Sequence, residues 1–568
     1  MNADTLSLAE LRAEIDRIDD AMLDLVDRRI AAARAIAAAK GASPHLRLRP
    51  RRQGEVIARL QERARHASAE AVRHIWRELM GHCLQTQGAT QIVIADGCAP
   101  EHEVRDLFGS AAPIRRASRK AAIRIAAEEE AVAILPTGTV AAGLRTVGAV
   151  AAGAVAMGRL ADEAPQSLAA WTPDAWRSRK AAQMPIYPDA GALADVEQSL
   201  GTAEGVVAPA EIASLKAELA LVAQGSGFLV QAGDCAESFA GFGPDRVRRD
   251  GALLLAMGAR IGDDTVHVAR AAGQFAKPRS AATESRDGTI LPSYRGDAVN
   301  GVGFCAAGRT PDPARLLRAH AQSRATAGLL AADAAARAVA GADARVHVSH
   351  EALLLNYEQA LTRFDPATAR WYSASGHMVW IGDRTRGLDG AHVEFARGIA
   401  NPIGLKCGPD LEADELARLI DRLDPRNEAG RLVLIGRFGA GEIGRRLPAL
   451  MRRTRGEGRQ VVWSIDPMHG NARSAGSRKT RALADIVAET AAFFDIAEAE
   501  GVHAGGVHLE TTSGDVTECL GVGVGEADLD LRYESLCDPR LNGAQALAVA
   551  SWIGERRMRL DERAAAAA

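Results

Sequence analysis

Between residues 227 and 510, short apolar runs alternate with longer amphipathic stretches, and this alternation limits the possible folds more than any other feature. The run at 432–437, LVLIGR, is apolar over nearly its whole length, as is typical of parallel strands that are covered on both faces. We predict eight strands, at 227–233, 265–270, 345–350, 371–382, 402–406, 432–437, 460–465 and 506–510. Eight strands over about 285 residues, separated mostly by helices such as Leu411–Leu423, predict an α/β fold of the (β/α)8 TIM-barrel type. A doubly wound sheet is the alternative, but the sequence lacks the glycine fingerprint that would support it.

The predicted barrel occupies residues 166–568, and two further domains precede it. Residues 1–88 read as helices only, with apolar residues at helical spacing and no proline or glycine within Leu6–Lys40. A helix of about 33 residues is about 50 Å long, which suggests that it packs along a partner. Residues 89–165 predict a small α/β linker with strands at 90–97 and 131–136. Its end, 137–165, is rich in Ala, Gly and Val and is predicted to be a packed helical connector.

Composition excludes several classes of protein. Apolar residues make up 47% and charged residues 25% of the 568 positions, which is the balance of a folded chain. A net charge of −3 gives no basic field for nucleic acid. The seven cysteines are scattered without CxxC spacing, which favours a reducing compartment over a disulfide framework. With no secretory signal and no apolar run long enough to cross a bilayer, we expect a cytoplasmic enzyme that binds neither membrane nor nucleic acid.

Polar residues follow the predicted strands, where a (β/α)8 barrel places its active site. Five cations are predicted at this mouth: Arg270, Lys277, Arg384, Lys406 and Arg437. They would repel one another unless an anion with two or more charges lies among them. Guanidinium groups bind phosphate and carboxylate in bidentate geometry, so the predicted ligand carries a phosphate together with a carboxylate.

Three further residues at strand ends form a mixed set of metal-ligand type. Cys235, His469 and Glu510 offer a thiolate, an imidazole and a carboxylate, which suit a divalent ion such as Mn, Fe, Co or Zn, and Asp538 is a candidate fourth ligand. The alternative is that each is an ordinary packed or solvated side chain, because each is common when taken singly. A metal that polarises a carbonyl beside a phosphate site would suit carbon–carbon bond chemistry on sugar phosphates.

The barrel region also contains, in order, the segments LVQAGDCAESF, VARAAGQFAKPRS, LPSYRGDAVNG, VSHEALLLNYE, HMVWIGDRTRGLDGAHVEFARGIANPIGLKCGP, DPMHGN, GGVHLETTSGDVTECLG and CDPRLN. Together they resemble the type II 3-deoxy-D-arabino-heptulosonate 7-phosphate (DAHP) synthases over about residues 170–550. The resemblance implies the first step of the shikimate pathway, in which phosphoenolpyruvate condenses with erythrose 4-phosphate and phosphate is released.

This resemblance assigns a role to each candidate residue. One divalent ion per barrel, Mn²⁺ or Co²⁺ with Zn²⁺ or Fe²⁺ as alternatives, is expected on Cys235, His469, Glu510 and Asp538. Phosphoenolpyruvate is expected to contact Arg270, Asp383, Arg384, Lys406 and Arg437, with Asp383 at a position where many members have Glu. Erythrose 4-phosphate is expected to face Lys277, Arg279 and Ser280. The resemblance also implies catalytic roles for Lys406 and His469.

The segment LRAEIDRIDDAMLDLVDRRIAAARAIAAAK resembles the first helix of the all-helical chorismate mutases, which rearrange chorismate to prephenate. The implied catalytic residues are Arg12, Arg29, Lys40, Arg52, Gln53 and Gln87, although Gln53 stands where many members have Glu. Arg12 and Arg29 lie 17 residues apart, about 25 Å along one helix, too far to hold one small dicarboxylate. Two chains must therefore combine, and a homodimer or larger homo-oligomer is expected.

The sequence thus predicts a bifunctional enzyme, and alternatives stay open. The front domain would be a non-catalytic dimerising sensor if Gln53 abolishes the mutase reaction, and the barrel would serve secondary metabolism in a second alternative. A third alternative, a pure scaffold protein, leaves the cluster of cations and metal ligands without an explanation. The linker faintly resembles a truncated prephenate dehydratase lobe, for which we expect no activity. Chorismate or prephenate bound in front is expected to inhibit the barrel allosterically.

Overall fold

The computed structural model describes residues 7–40, 66–87, 91–129, 131–136, 144–151, 154–158, 171–339 and 345–567, together with positions 53, 56, 57, 60, 61, 64 and 139. The chain divides into two compact units, one mostly within residues 1–166 and the other within 167–568. No helix among the described residues is both long enough and apolar enough to cross a membrane.

The first unit begins with two helices, α1 (Leu8–Lys40) and α2 (Ala69–Gln87). Helix α1 is 33 residues long, as the uninterrupted helical pattern predicts, and it packs against α2. Five apolar side chains along α1 are 37–59% exposed, and we call them the exposed apolar face of α1: Leu11, Ile15, Ile18, Met22 and Leu25. An apolar stripe of this length on a helix indicates a surface that another element covers.

A five-stranded sheet follows the two helices. Its elements are β1 (Gln91–Ala95), α3 (Glu101–Phe108), β2 (Ile114–Ala117), α4 (Arg119–Glu128), β3 (Ala131–Pro136), β4 (Arg145–Ala151) and β5 (Ala154–Gly158). The strand order is β2-β1-β3-β5-β4, parallel in the first three strands and antiparallel in the last two. The predicted α/β unit is therefore present, but the predicted helical connector at 137–165 is wrong, since β4 and β5 lie within it. Strand β5 pairs with the edge of β3, for example Val155 with Leu135, a nonlocal contact that the Ala- and Gly-rich sequence does not reveal.

The second unit is built around a closed parallel barrel. Its strands are β6 (Phe228–Gly233), β7 (Thr265–Arg270), β8 (Thr283–Arg286), β9 (Thr289–Pro292), β10 (His347–Glu351), β11 (Thr362–Asp365), β12 (Arg370–Ser373), β13 (Met378–Ile381), β14 (Ile403–Cys407), β15 (Leu432–Gly436), β16 (Val461–Ile465), β17 (Arg473–Ala475), β18 (Arg478–Thr480) and β19 (Ala504–Glu510). Eight of them close in the order β10-β13-β14-β15-β16-β19-β6-β7, which is the predicted TIM-like barrel. The others form three hairpins, β8-β9, β11-β12 and β17-β18.

The helices of this unit are α5 (Ala190–Thr202), α6 (Pro209–Ala223), α7 (Pro244–Ile261), α8 (Ala306–Arg309), α9 (Ala314–Val339), α10 (Leu355–Ala360), α11 (Ala391–Gly398), α12 (Ala413–Leu423), α13 (Ile443–Gly456), α14 (Leu483–Ala499) and α15 (Gly543–Ala567). Helix α12 shows why they cover the strands. It presents Leu416, Leu419, Ile420 and Leu423 to the core at helical spacing, and all four are buried.

One predicted barrel strand is wrong in its extent. Residues 371–382 divide into β12, which pairs with β11 outside the barrel, and β13, which lies in the barrel. The amide of Asn401 holds the intervening turn, because its Nδ2 donates to the carbonyl oxygens of Ser373 at 2.9 Å and Gly376 at 3.0 Å. An apolar run in the sequence does not show where such a side chain interrupts it.

Candidate active site

Every barrel strand ends at the same rim, and each delivers a polar side chain there. Parallel strands have their carboxyl ends on one edge, so residues at or just after those ends converge. These residues are Cys235, Arg270, Glu351, Asp383, Lys406, Arg437, Asp466 and Glu510.

A thiol, an imidazole and two carboxylates meet at one point of this rim. One ligand atom each from Cys235, Glu510 and Asp538 lie within 4.8 Å of one another. The Nε2 atom of His469 lies 3.3 Å from Glu510 Oε1 and 4.0 Å from Asp538 Oδ2. Ligand atoms that share one divalent ion at about 2.0–2.3 Å lie about 3–4.6 Å apart, and the distances from His469 to both carboxylates lie in this range, so the donor set suits such an ion. The structure brings together all four residues that the sequence predicts as metal ligands.

Three cations pair with Glu510. Arg270 Nη2 and Lys277 Nζ lie 3.0 and 3.1 Å from its Oε1, and Arg481 Nη1 lies 2.8 Å from its Oε2. Burial acts to raise the pKa of Glu510, but His469 and Lys277 hold it well below its ordinary range. Glu510 is therefore ionised, as a carboxylate ligand must be.

The thiol of Cys235 is buried and free of disulfide bonds. Its Sγ accepts a hydrogen bond from the backbone N–H of Asp538 at 3.1 Å. Burial, and then a hydrogen bond with Cys537, raises the pKa of Cys235 well above its ordinary value. Because a thiolate rather than a thiol binds metals, a nearby divalent charge is what would ionise this side chain.

Asp466 connects this group to the anion-binding cations. Its Oδ2 lies 2.7 Å from His469 Nδ1 and also pairs with Lys406 Nζ. A carboxylate at one ring nitrogen fixes the histidine tautomer and leaves the other nitrogen for a metal, here the Nε2 that faces Glu510. Burial lowers the pKa of Lys406 to about 8, although Asp466 opposes that shift.

The predicted substrate-binding residues after β13 and β15 also touch one another. Asp383 Oδ2 lies 3.0 Å from Arg437 Nη1, and its Oδ1 lies 3.0 Å from Arg386 Nε. The exposed Arg384 donates to Ser280 Oγ at 2.8 Å. Carboxylates of the chain itself therefore offset the repulsion that the sequence predicts among the cations, and Asp383 orients Arg437.

The loop predicted to face erythrose 4-phosphate follows β7 and enters the same mouth. Lys277 is buried against the metal-type group, and the backbone N–H of Arg279 donates to Gln183 Oε1 at 3.0 Å. The Arg279 guanidinium lies 3.5 Å from Glu284 Oε1. These contacts hold the loop, with Ser280, beside the residues predicted to bind phosphoenolpyruvate.

Sequence reasoning missed Asp466, Arg481 and Glu351. Asp466 had a signal, since it stands three positions before His469, whereas Arg481 had none. Glu351 Oε1 and Gln274 Nε2 are buried without a hydrogen-bond partner in the part of the chain that the structure describes. Burial raises the pKa of Glu351. The acceptor of Glu351 and the donor of Gln274 are thus available to substrate or water.

In the helical domain, the guanidinium of Arg29 on α1 is held by α2. Its Nη1 donates to the carbonyl oxygen of Leu79 at 3.2 Å and to Cys83 Sγ at 2.7 Å. One chain does not bring Arg12 and Arg29 together on α1. Of the other predicted residues, Arg12 is exposed, Lys40 and Gln87 end α1 and α2, Gln53 is half-buried in a helical position, and Arg52 lies outside the described residues.

Comparisons with known proteins cover both regions. The Class-II DAHP synthetase family matches residues 171–340 and 333–554, and Chorismate mutase type II matches residues 11–88. The phospho-2-dehydro-3-deoxyheptonate aldolase of Streptomyces coelicolor is 43% identical over 431 residues, which are 67% of this chain and 96% of that protein. The Neurospora crassa protein of the same name is 39% identical over 453 residues, 68% of this chain and 94% of that protein.

A solved structure of the aldolase of the same name from Francisella tularensis is also matched. It covers 66% of this chain and 97% of that chain, with 14% sequence identity and a TM-score of 0.43. Because this identity and this TM-score are low, the family assignment rests on the sequence matches.

Proposed function

Because this chain belongs to the class-II DAHP synthetase family and carries a chorismate mutase type II domain, we propose that it is a bifunctional enzyme of aromatic amino acid biosynthesis. Its barrel condenses phosphoenolpyruvate with erythrose 4-phosphate to DAHP and phosphate. The observation that carries this proposal is the meeting of Cys235, His469, Glu510 and Asp538 beside the cluster of cations at one barrel mouth.

The four residues of the metal-type group would hold one divalent ion, Mn²⁺ or Co²⁺, with Zn²⁺ or Fe²⁺ as alternatives. When bound, such an ion supplies Lewis acidity to a carbonyl oxygen, here the aldehyde of erythrose 4-phosphate. Asp466 fixes the tautomer of His469 for this task, and the cations around Glu510 keep that carboxylate ionised. We place the enzyme in the cytoplasm, because a reducing compartment keeps Cys235 a free thiol.

Phosphoenolpyruvate, with its phosphate and carboxylate, is bound by Arg270, Arg384, Lys406 and Arg437. Lys277, Arg279 and Ser280 receive erythrose 4-phosphate. Its aldehyde carbon forms the new bond with C3 of phosphoenolpyruvate, and the aldehyde oxygen gains a proton. Water then adds at C2 and loses one proton. The bond from C2 to the phosphate oxygen breaks as the C2 carbonyl forms, and the second proton of the added water leaves with the phosphate. Positioning two anions among fixed cations supplies much of the rate acceleration.

Two buried groups are suited to carry the protons of this reaction. Lys406 has a pKa lowered to about 8, so it releases and regains a proton near neutral pH. Glu351 has a pKa raised by burial and an oxygen without a partner among the described residues. We assign the proton for the aldehyde oxygen to Lys406 and the proton from the attacking water to Glu351.

The test uses the purified full chain after treatment with a chelator. DAHP and phosphate formation are measured before and after adding Mn²⁺, Co²⁺, Zn²⁺ or Fe²⁺. Wild type should need a metal, Cys235→Ser should lose most of its rate, and Cys305→Ser, at an exposed cysteine, should keep it. No DAHP with any metal refutes the synthase, whereas a full rate in chelator refutes only its metal dependence.

The second proposed activity is the rearrangement of chorismate to prephenate in the helical domain. Its support is Arg29, held in place by α2, and the exposed apolar face of α1 that a second copy of the chain would cover. In such a dimer, Arg12 of the partner copy would complete the site around Arg29. The reaction is pericyclic and needs no proton transfer, so Gln53 can serve by accepting a hydrogen bond.

Chorismate consumption by wild type, Arg29→Ala and Gln53→Glu tests this second activity. Turnover that Arg29→Ala abolishes and Gln53→Glu increases would support a working mutase. No turnover in wild type, together with slower DAHP formation when chorismate or prephenate is added, would make the domain a sensor instead.

A further inference from the structure

A buried carboxylate outside the substrate-facing groups joins two loops of the site. Glu489 lies in α14 and is fully buried. Its Oε1 accepts hydrogen bonds from the backbone N–H groups of Phe438 at 2.9 Å and Gly439 at 2.8 Å. Its Oε2 accepts one from Asn471 Nδ2 at 2.7 Å. No ion pair of Glu489 occurs among the described residues, so three neutral donors surround the carboxylate.

The two loops carry different parts of the site. Phe438 and Gly439 directly follow Arg437, which is predicted to bind phosphoenolpyruvate, and Asn471 stands two positions after His469. The loop backbones also touch, because a Cβ added at Gly470 would lie 2.2 Å from the backbone nitrogen of Gly439. Movement of either loop therefore displaces the other.

Asn471 contacts both loops, and hydrogen bonds from its Nδ2 and to its Oδ1 fix the orientation of its amide. Its Nδ2 donates to the carbonyl oxygen of Pro467 at 2.8 Å as well as to Glu489, and its Oδ1 accepts from the N–H of Ala440 at 3.0 Å. Flipping this amide would put donor against donor at Ala440. Asn471 therefore presents an N–H to position 489, and only an acceptor there satisfies it.

We propose that Glu489 is a positioning residue that fixes Arg437 and His469 relative to each other and so links phosphoenolpyruvate affinity to metal affinity. This inference rests on the proposed synthase function. Burial raises the pKa of Glu489 to about 7, against the lowering effect of the N–H donors. Both oxygens of a carboxyl group can accept these hydrogen bonds, whereas an amide would turn its N–H₂ toward one of the donors, which explains why an acid rather than an amide occupies this position.

The variant Glu489→Gln keeps the shape of the side chain and turns its amide N–H₂ toward the N–H₂ of Asn471. We expect an about 10-fold weaker Co²⁺ affinity, which is the usual size of effects that act through a ligand's supporting contacts. Titration of the purified chain with Co²⁺, followed by the thiolate-to-cobalt absorption of Cys235, measures this affinity without turnover. The KM for phosphoenolpyruvate should rise about 10-fold, and the KM for erythrose 4-phosphate should stay within about 2-fold.

The matched control is Asp424→Asn, which also removes a buried carboxyl. Asp424 follows α12, accepts the N–H of Glu428 at 3.0 Å, and lies at the amino-terminal end of the barrel strands, away from the mouth. Its pKa is likewise raised by burial, to about 6. The control should lower Tm as Glu489→Gln does, while both affinities stay at their wild-type values.

A second comparison reverses the donor and the acceptor. Asn471→Asp alone places two carboxylates together and should weaken both affinities, whereas Glu489→Gln combined with Asn471→Asp restores one donor facing one acceptor. The double variant should recover part of the lost Co²⁺ affinity. If Glu489→Gln does not fold, the same affinities are compared between Asn471→Asp and the double variant.

The outcomes separate this inference from the proposed function. If wild type makes DAHP and Glu489→Gln changes Tm but neither KM nor Co²⁺ affinity, the residue is merely structural and the inference is overturned. A double variant no better than its worse parent also overturns it. If wild type makes no DAHP while Glu489→Gln still weakens Co²⁺ binding, the synthase proposal fails and the positioning role toward His469 stands.

Discussion

The efficiency of the synthase with phosphoenolpyruvate should fall steeply above pH 8, because Lys406 loses its charge there. This side chain is buried at the barrel mouth, paired with Asp466 and close to Arg270. Burial lowers the pKa of its ammonium group to about 8, Asp466 acts to raise it, and Arg270 lowers it further. An ordinary lysine would keep its charge to about pH 10.

The size of the effect follows from the fraction of charged Lys406. With a pKa of about 8, about nine-tenths of the enzyme carries the charge at pH 7 and about 3% carries it at pH 9.5. If only the charged form binds phosphoenolpyruvate, kcat/KM for this substrate should drop about 30-fold over that interval. A lysine with an ordinary pKa would lose only about one-tenth of its charge, so the two cases are easily distinguished.

The assay measures initial rates at low phosphoenolpyruvate, saturating erythrose 4-phosphate and fixed Co²⁺, in buffers of constant ionic strength. The control is Lys406→Arg, whose guanidinium stays charged throughout and should give a flat profile at a lower absolute rate. A wild-type profile that stays flat to pH 9.5 would refute the reasoning. An equal drop in Lys406→Arg would refute it as well, since the titrating group would then lie elsewhere.

Three further results are expected. Gly382→Ala should lower the synthase rate at least about 10-fold, because the added Cβ would lie 2.2 Å from the carboxyl oxygen of Glu351. Gly387→Ala, with open space around it, should have no effect in the same assay. Asp466→Asn should weaken Co²⁺ binding about 10- to 100-fold in a spectroscopic titration, and unchanged affinity would show that the histidine needs no orienting carboxylate. Ile18→Glu should convert the proposed dimer to monomers in sedimentation velocity and abolish chorismate turnover, and a dimer that persists in this variant would place the contact away from the exposed apolar face of α1.

The barrel could be predicted because short, largely apolar runs alternate with amphipathic stretches, and some buried strands are apolar along their whole length. Leu432–Gly436 is buried at every position, and its predicted boundaries differ from the observed ones by a single residue. Two predictions failed where pairing is decided by distant residues. Strand β12 leaves the barrel because Asn401 holds the turn after it, and β4 and β5 form because the edge of β3 is open to β5.

The site residues that could be predicted are those that lie at strand ends or in family motifs. Cys235 and Glu510 follow or end recognisable strands, so the fold alone brings them to one rim. Groups that act through tertiary contacts gave no such signal. Arg481, directly after β18, pairs with Glu510, and Glu489 contacts two loops from within a helix, so their roles depend on packing that the sequence does not state.

The metal-type group spans the seam where the barrel closes. Strand β6, the first of the barrel, pairs with β19, the last, and Cys235 and Glu510 lie on the two sides of that seam. Asp538 follows Cys235 by 303 positions, which a ribosome needs about 15 to 60 s to synthesise. During that interval the nascent chain lacks Asp538 and cannot assemble the complete group. The complete four-residue group therefore forms only once the barrel has closed, and an arrested or truncated polypeptide lacks it.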